Sequence, residues 1–433
     1  MTTNLKRPEL LAPAGTLEKL KTAIHYGADA VYIGGDAYGL RSRAGNFSYE
    51  EMAEGVAFAH SHNAKVYVAA NMVTHENDQI GAGDFFRTLR DIGIDAVIVS
   101  DPALMQICAM DAPGLEIHLS TQQSAVNYET LNFWKDAGLT RCVLGREVSM
   151  EEVAEIRANT DVEIEAFIHG AMCISYSGRC TLSNHMANRD ANRGGCSQSC
   201  RWKYGLFDLP TPGNREMIGK GEEGEDIDEP FSMSAVDLSM IQHIPDIVKN
   251  GIDSLKIEGR MKSIHYVSTV VNVYRKALDT YFEDPENYVV QEDWIDEMWK
   301  VAPRELATGF YYGQPTEKEQ LFGQRRRKPS YKFIGQVLAY DEETQIATIQ
   351  QRNLFRLGEK IEFYGPGMRH HSEVLEEMWN EEGESIPSAP HAMQVITMKV
   401  SQPVKPQDMI RKSIERSRGK LLKSQRTLTN TNN

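Results

Sequence analysis

The sequence predicts an α/β protein: a (β/α)8 barrel of the TIM type followed by a small C-terminal β-barrel. Three observations carry that prediction. From residue 9 to about residue 260, short apolar β-prone runs alternate with helix-like segments, and eight such runs are present. That alternation implies parallel strands joined by right-handed helical crossovers. Beyond a basic stretch at 324–328 the apolar period shortens to two, the pattern of short half-buried strands. An open doubly wound sheet is the alternative for the first part. Against it, no G-x-G-x-x-G follows the first strand, where Pro13-Ala14-Gly15-Thr16 stands instead.

The eight strand runs are 10–14, 30–35, 65–70, 96–101, 116–121, 141–146, 162–169 and 254–259. Helical patterns fill 16–26, 49–63, 84–92, 128–137, 151–159 and 238–250. Thr16 is placed to cap the first of them, and Gly27, Asn63, Gly93, Gly138 and Gly251 are helix stops. The segment after the seventh strand breaks the rhythm. It runs from about 170 to 230, far beyond an ordinary βα loop, and turns acidic and glycine-rich at 219–226, which reads as a mobile surface excursion.

After the eighth strand, 264–281 and 291–300 read as helices. Candidate strands follow at 331–340, 345–351, 360–364, 372–377 and 393–400. The expected organisation is a barrel over 1–285 carrying a cysteine-rich loop at 170–230, a helical connector at 286–330, a small β-barrel at 331–402 and a basic tail at 403–433. Within that tail, 411–426 holds seven basic residues and one acidic, as a basic helix or a disordered segment.

Composition narrows the function. The chain has 433 residues, 41% hydrophobic and 25% charged, an ordinary globular mix. Its net charge of −14 excludes a globally basic nucleic-acid binder, though not a local basic patch. No run approaches 18 consecutive apolar residues and the first fifteen residues hold no apolar signal core, so a cytoplasmic protein with no membrane span is expected. Six cysteines are too few for a secreted disulfide scaffold, and four of them, Cys173, Cys180, Cys196 and Cys200, fall within 28 residues. Such a cluster in a reducing compartment points to metal or redox chemistry. Cys108 and Cys142 stand apart in apolar surroundings and read as core.

In a (β/α)8 barrel the active site lies where the strands end. Those ends supply Asn71, Gln122, Arg146, Glu165, His169, Lys256, Glu258 and Arg260, and the segment after the second strand adds Arg41, Arg43 and Asn46. Five basic side chains in this rim suit an anionic ligand, because guanidinium forks match carboxylate and phosphate. The competing reading is that they pair with Glu147, Glu165 and Glu258. Glu165, His169 and Glu258 are the candidates for proton transfer. Glu165 and His169 stand four apart, so on a regular strand they face one side.

The cysteine spacing, C-x6-C-x15-C-x3-C, offers four thiolates to a tetrahedral zinc or an iron–sulfur cluster at the barrel mouth. Buried, unligated thiols are the plain alternative. No H-E-x-x-H and no G-x-S-x-G occurs, so hydrolytic chemistry lacks its usual signatures. The basic segments 324–328 and 411–426 flank the small β-barrel and are placed to grip RNA phosphates, or they are solvated linker and tail. Tyr331, Phe333, Phe355, Phe363 and Tyr364 offer either base stacking or core.

A longer signature now stands out. Glu165-Ala166-Phe167-Ile168-His169-Gly170-Ala171-Met172-Cys173, with Tyr176-Ser177-Gly178-Arg179-Cys180, resembles that of the collagenase-like peptidase family. Asn188-Arg189-Asp190, Cys200-Arg201-Trp202, Leu40-Arg41-Ser42-Arg43-Ala44, Lys256-Ile257-Glu258-Gly259-Arg260 and Gly309-Phe310-Tyr311 continue the match, over about residues 8–402.

The better-understood members of that family resemble hydroxylation factors with a cysteine-held [4Fe–4S] cluster, and length and terminal module are most like the branch that forms 5-hydroxyuridine at a tRNA wobble position. The resemblance therefore implies a tRNA substrate, dependence on prephenate, and a cluster held by Cys173, Cys180, Cys196 and Cys200. No cysteine follows Cys200, so it must be the fourth ligand if four are from protein. A shorter paralogue of the same family is a possible partner. Residues 355–362 resemble the barrel domain of translation factors, which implies an RNA-facing role for that module. Two further readings stay open: a metal-dependent peptidase using Glu165 and His169, and a non-catalytic RNA-binding factor.

Overall fold

The computed structural model describes residues 5–40, 45–204, 231–321 and 329–414. The chain divides into two compact units, Met1–Lys328 with Pro366–Arg369, and Pro329–Gly365 with His370–Asn433.

The first unit contains strands β1 (Glu9–Pro13), β2 (Ala30–Ile33), β3 (Lys65–Ala70), β4 (Ala96–Val99), β5 (Glu116–Leu119), β6 (Arg141–Val143), β7 (Glu163–Ala171), β8 (Asp237–Ser239) and β9 (Ser254–Ile257). β1 to β7 pair in sequence, all parallel. β9 then pairs in parallel with both β7 and β1, which closes an eight-stranded barrel. Each predicted strand run overlaps one of these eight strands, with β1 starting one residue earlier and β7 running two residues further than expected. The helices between them are α1 (Leu17–His25), α2 (Tyr49–Ser61), α3 (Ala82–Ile92), α4 (Pro102–Asp111), α5 (Tyr128–Asp136) and α6 (Met150–Asn159).

The local chemistry explains these boundaries. Thr16 caps α1 by accepting from Lys19 N at 3.3 Å, and Ser48 and Ser149 form capping boxes at α2 and α6. At the far end of α3, Gly93 sits at φ 91°, a left-handed position that relieves the terminal carbonyls. The strands are buried on both faces, as strands sandwiched between a barrel interior and a helical layer must be. Leu11, Ala30, Tyr32, Tyr67, Ala96 and Ile98 form an apolar cluster among them.

The first unit departs from the sequence reading in several details. The segment 238–250, expected to be one helix, opens with β8 (Asp237–Ser239), which pairs antiparallel to the far end of β7, and a 3-10 turn at Ile241–His243 precedes the short α8 (Ile244–Lys249). Pro245 accounts for the late start, since proline is accommodated in the first turn of a helix but not inside it. The short helix α7 (Leu182–Ala187) sits in the cysteine-bearing segment. The 286–330 connector is not purely helical: after α9 (Ile264–Glu283) and α10 (Glu292–Val301), β10 (Leu306–Ala307) pairs with β8.

The second unit is antiparallel. β11 (Tyr331–Asp341), β12 (Ile346–Gln351), β13 (Phe355–Arg356), β14 (Lys360–Gly365), β15 (Arg369–Val374), β16 (Met378–Trp379), β17 (Ser388–Ala389), β18 (Val395–Lys399) and β19 (Met409–Ser413) follow in order. Seven of them form one sheet, ordered β15-β14-β19-β11-β12-β18-β16. Ile334, Val337, Ile349, Phe355, Ile361, Phe363 and Met398 fill its core. β19 corrects the expected start of the tail: this strand lies between β14 and β11, so the fold extends to Ser413. Arg411 is fully buried there, pairs with Glu362 and stacks over Tyr364 at 4.3 Å, so it is a core ion pair with no reach to RNA phosphate. The basic positions 324–328, the rest of the tail from 415 and the acidic stretch 219–226 lie outside the described residues.

Candidate functional site

The barrel carries charge through its interior. Arg141 donates to Glu9 at 2.7 Å, to Glu163 at 2.8 Å and to Glu165 at 3.4 Å. Ser254 and Tyr67 donate to the Glu9 carboxylate at 2.7 and 2.6 Å. Lys256 then reaches Glu165 at 2.6 Å. Burial pushes the Glu165 carboxyl up, but Lys256 and Arg141 outweigh it and hold the group below the ordinary carboxylate range. A carboxylate committed to two cations is a poor proton acceptor, and Glu165 does not line the cavity above it.

His169 goes elsewhere. Opposite β9 the pairing runs Phe167 to Lys256 and then His169 to Ile257, so β7 carries one extra residue, a β-bulge. Side chains alternate along a strand, and one inserted residue reverses the alternation. Phe167 therefore shares the inner face with Lys256, while His169 turns outward against Tyr266 and Tyr274 of α9. The expectation that Glu165 and His169 face one side is corrected: it assumed a regular strand. Burial pushes the His169 imidazole down to about 4, so it is neutral at physiological pH.

At the C-terminal mouth of the barrel lies a cavity of about 500 Å³. Of the candidates named from sequence, it is lined by Asn71, Gln122, Arg146, Lys256, Glu258 and Arg260 and by all four clustered cysteines. Arg146 lies 3.8 Å over the Phe167 ring and donates to Ala171 O at 2.6 Å, which fixes its guanidinium. Lys256 sits between the rings of Tyr32 and Phe167, 4.7 and 5.4 Å from their centres. Glu258 accepts from Tyr32 Oη at 3.2 Å. The Arg260 guanidinium packs so tightly over Gly34 that a Cβ there would overlap it. Asn46 touches the site through Arg260, whose Nη2 donates to its Oδ1 at 3.5 Å. Arg41 and Arg43 lie outside the described residues.

Three further groups line the cavity: Lys262, which the sequence reading did not name, Arg201, named there only within the family signature, and Glu147, named there at a strand end as a pairing partner. Arg201 and Lys262 add two cations, and burial lowers the Lys262 ammonium below its usual range. Glu147 accepts from Ser177 Oγ at 2.5 Å and so ties the cysteine segment to the end of β6. The available signals were local: Arg201 follows Cys200, and Lys262 stands two residues beyond Arg260.

The cysteine segment is held over the mouth by side chains. Arg179 donates to Gln122 O at 2.5 Å, and Asn192 bonds both the N–H and the carbonyl of Cys180 at 3.1 and 3.0 Å. Cys173 and Cys196 are exposed, Cys180 and Cys200 partly buried. Burial pushes the Cys200 thiol up, Arg201 offsets it, and the other three thiolates push it further, a sign of four mutually repelling sulfurs. The Cys180 sulfur accepts from Leu182 N at 3.3 Å, the kind of N–H contact that stabilises a ligating thiolate. Among the described residues no three of these sulfurs lie within 4.8 Å of one another. A single tetrahedral zinc would hold them about 3.8 Å apart, given its Zn–S bond of about 2.3 Å. Four thiols with cations behind them are a donor set of the kind that holds a zinc ion or an iron–sulfur cluster.

These features define a TIM-like barrel whose mouth joins four cysteines to a cationic wall. The chain belongs to peptidase family U32: that family's pattern matches residues 15–321, and that of its C-terminal domain matches residues 329–411. It is 52% identical to tRNA hydroxylation protein P1 of Bacillus subtilis over 94% of this chain and 95% of that one. It is 35% identical to tRNA hydroxylation protein P2 of the same organism, over 71% of this chain and 98% of the relative. Against the 23S rRNA 5-hydroxycytidine C2501 synthase of Escherichia coli it is 38% identical, over 66% of this chain and 41% of that one. No helix among the described residues is long and apolar enough to cross a membrane.

Proposed function

We propose that the chain is a cytoplasmic tRNA-modifying hydroxylase that forms 5-hydroxyuridine at the wobble position of tRNA, dependent on prephenate. The observation that carries this reading is the near full-length identity to a tRNA hydroxylation protein. A relative named as an rRNA 5-hydroxycytidine synthase supports the same chemistry, hydroxylation of a pyrimidine at C5.

The cavity is suited to that task. Cys173, Cys180, Cys196 and Cys200 would hold a [4Fe–4S] cluster, which when bound supplies one-electron redox chemistry beside the substrate. Arg146, Lys256, Arg260 and Arg201 face the same space and would bind the two carboxylates of prephenate. Tyr32 orients Glu258 at the cavity wall, so of the three proton-transfer candidates Glu258 is the one placed to touch a ligand. A uridine in an anticodon loop is already unpaired and can be turned into such a pocket at small energetic cost. The peptidase reading loses its proposed pair, because Glu165 is ion-paired and His169 faces the helical layer.

The test is anaerobic purification followed by a visible spectrum and iron and sulfide assay, on wild type and Cys196→Ala, with nucleoside mass spectrometry of tRNA from cells lacking the gene. A brown wild type, a colourless variant and loss of wobble 5-hydroxyuridine are expected. A colourless zinc protein would overturn the cluster, and unchanged tRNA would overturn the substrate. Deleting a shorter paralogue in the same strain tests whether a partner is needed.

A further inference from the structure

We propose that Gln122 reads the substrate base, its side-chain amide pairing with the N3–H and an adjacent carbonyl of a uracil held in the cavity. This rests on the reading of the cavity as the site of uridine hydroxylation.

The inference begins with an unanswered acceptor. Gln122 is 5% exposed and lines the cavity, and its Oε1 is buried with no hydrogen-bond partner among the described residues. A buried polar oxygen without a partner carries a desolvation cost, so such an atom on a residue that lines a cavity points to a ligand that supplies the donor. Everything around it is already committed. Gln122 sits in a 3-10 turn, Thr121–Gln123, at the end of β5. Ser120 caps the turn, Thr121 Oγ1 donates to Leu144 O at 2.9 Å, and Gln123 donates to Ser100 O while accepting from Arg179 at 3.2 Å. Asn71, the nearby alternative amide, is taken up by Leu40 N and Ser120 Oγ. Of the turn's two side-chain amides, Gln122 alone keeps an unanswered oxygen, in a residue that lines the cavity.

The missing partner is a donor, and that selects among ligands. A dicarboxylate co-substrate brings acceptor oxygens, which suit Arg146, Lys256 and Arg260. Uracil offers its single ring donor, N3–H, flanked by two carbonyls. A primary amide presents an acceptor beside a donor and matches that edge with two bonds. The geometry of the reaction agrees: an enzyme that modifies C5 must leave the C5–C6 edge free, and so has to hold the ring by the opposite edge.

The test uses full-length protein with its cluster and anticodon stem-loop RNAs that differ only at the wobble residue: uridine or an abasic site. Binding is measured by fluorescence anisotropy, and folding by thermal melting and the visible spectrum. Wild type is expected to prefer uridine about ten- to a hundredfold, the range for paired buried polar groups. Gln122→Met is expected to lose that preference while binding the abasic RNA as wild type does, with its spectrum intact. Gln122→Glu, which keeps the shape but turns a second acceptor toward a carbonyl, is expected to bind the uridine RNA more weakly than Gln122→Met. It carries the test alone if the methionine variant does not fold. A uridine preference retained in folded Gln122→Met, or in Gln122→Glu where only that variant folds, would overturn the proposal and leave the hydroxylase reading standing. Wild type that binds neither RNA would overturn both.

Discussion

Glu165 and Lys256 are locked together inside the barrel, Lys256 Nζ donating to Glu165 Oε1 at 2.6 Å with both side chains almost completely buried. Glu165 therefore acts on a ligand only through Lys256, whose ammonium it aims at the cavity floor. Arg141 completes the arrangement on the other carboxylate oxygen at 3.4 Å.

Removing one member of that set strands the others. Glu165→Gln is expected to destabilise the protein by about 3–5 kcal/mol in urea denaturation, the usual cost of breaking a buried pair. The double variant Glu165→Gln, Lys256→Met is expected to be less destabilised than the sum of the single changes. Because the folded carboxyl is depressed, its stabilisation is complete above the unfolded value near ~4.3 and is lost as pH falls through the folded value. Glu165→Gln should lack that acid dependence, and an unchanged acid slope would contradict the assignment.

His169 gives a pH dependence in a different window. Its folded value of about 4 lies below the unfolded one, so below about pH 6.5 the unfolded chain takes up the proton first and stability falls until about pH 4. The loss amounts to about 3 kcal/mol over that range. His169→Phe should abolish this slope and leave the pH profile of tRNA hydroxylation as it is. A profile that shifts with His169 would restore it as a proton-transfer group.

The six cysteines should separate by reactivity. Burial pushes the Cys108 and Cys142 thiols up to about 12, while Cys173 and Cys196 are exposed. Brief alkylation of cluster-free protein, read by peptide mass spectrometry, should label Cys173 and Cys196 and spare Cys108 and Cys142. Iron–sulfur loading beforehand should protect Cys173 and Cys196.

Gly34→Ala probes the cationic wall. The added methyl overlaps the Arg260 guanidinium and must displace it, while Gly34, the residue after β2, is not at a positive φ. A folded protein with about tenfold weaker substrate binding is expected, the loss of one charge-assisted contact. Full affinity in the variant would remove Arg260 from the site.

The barrel was legible because short apolar, β-prone runs recur at strand length between helical patterns, and Gly93 or Thr16 mark helix ends through chemistry that one residue carries. α4 was missed for the opposite reason: Leu104, Met105 and Cys108 are buried within a largely apolar segment, so no polar face stands out. The mouth residues were found because they follow strands directly. What one sequence does not display is a change of face. The extra residue in β7 turned His169 away, and Arg411 looked like tail until its pairing with Glu362 put it in a sheet. Both outcomes depend on partners far along the chain, which spacing does not encode.

The extra residue in β7 also sets a heading. Cys173 follows only two residues after that strand, so the whole cysteine-bearing segment leaves the barrel in a direction fixed by the phase of the strand beneath it. Shortening β7 by one residue near Ile168 would keep every cysteine and every cation yet swing the thiols and the cationic wall out of mutual reach. Grafting this arrangement of thiols and cations onto another eight-stranded barrel thus requires copying an irregularity as well as a set of side chains.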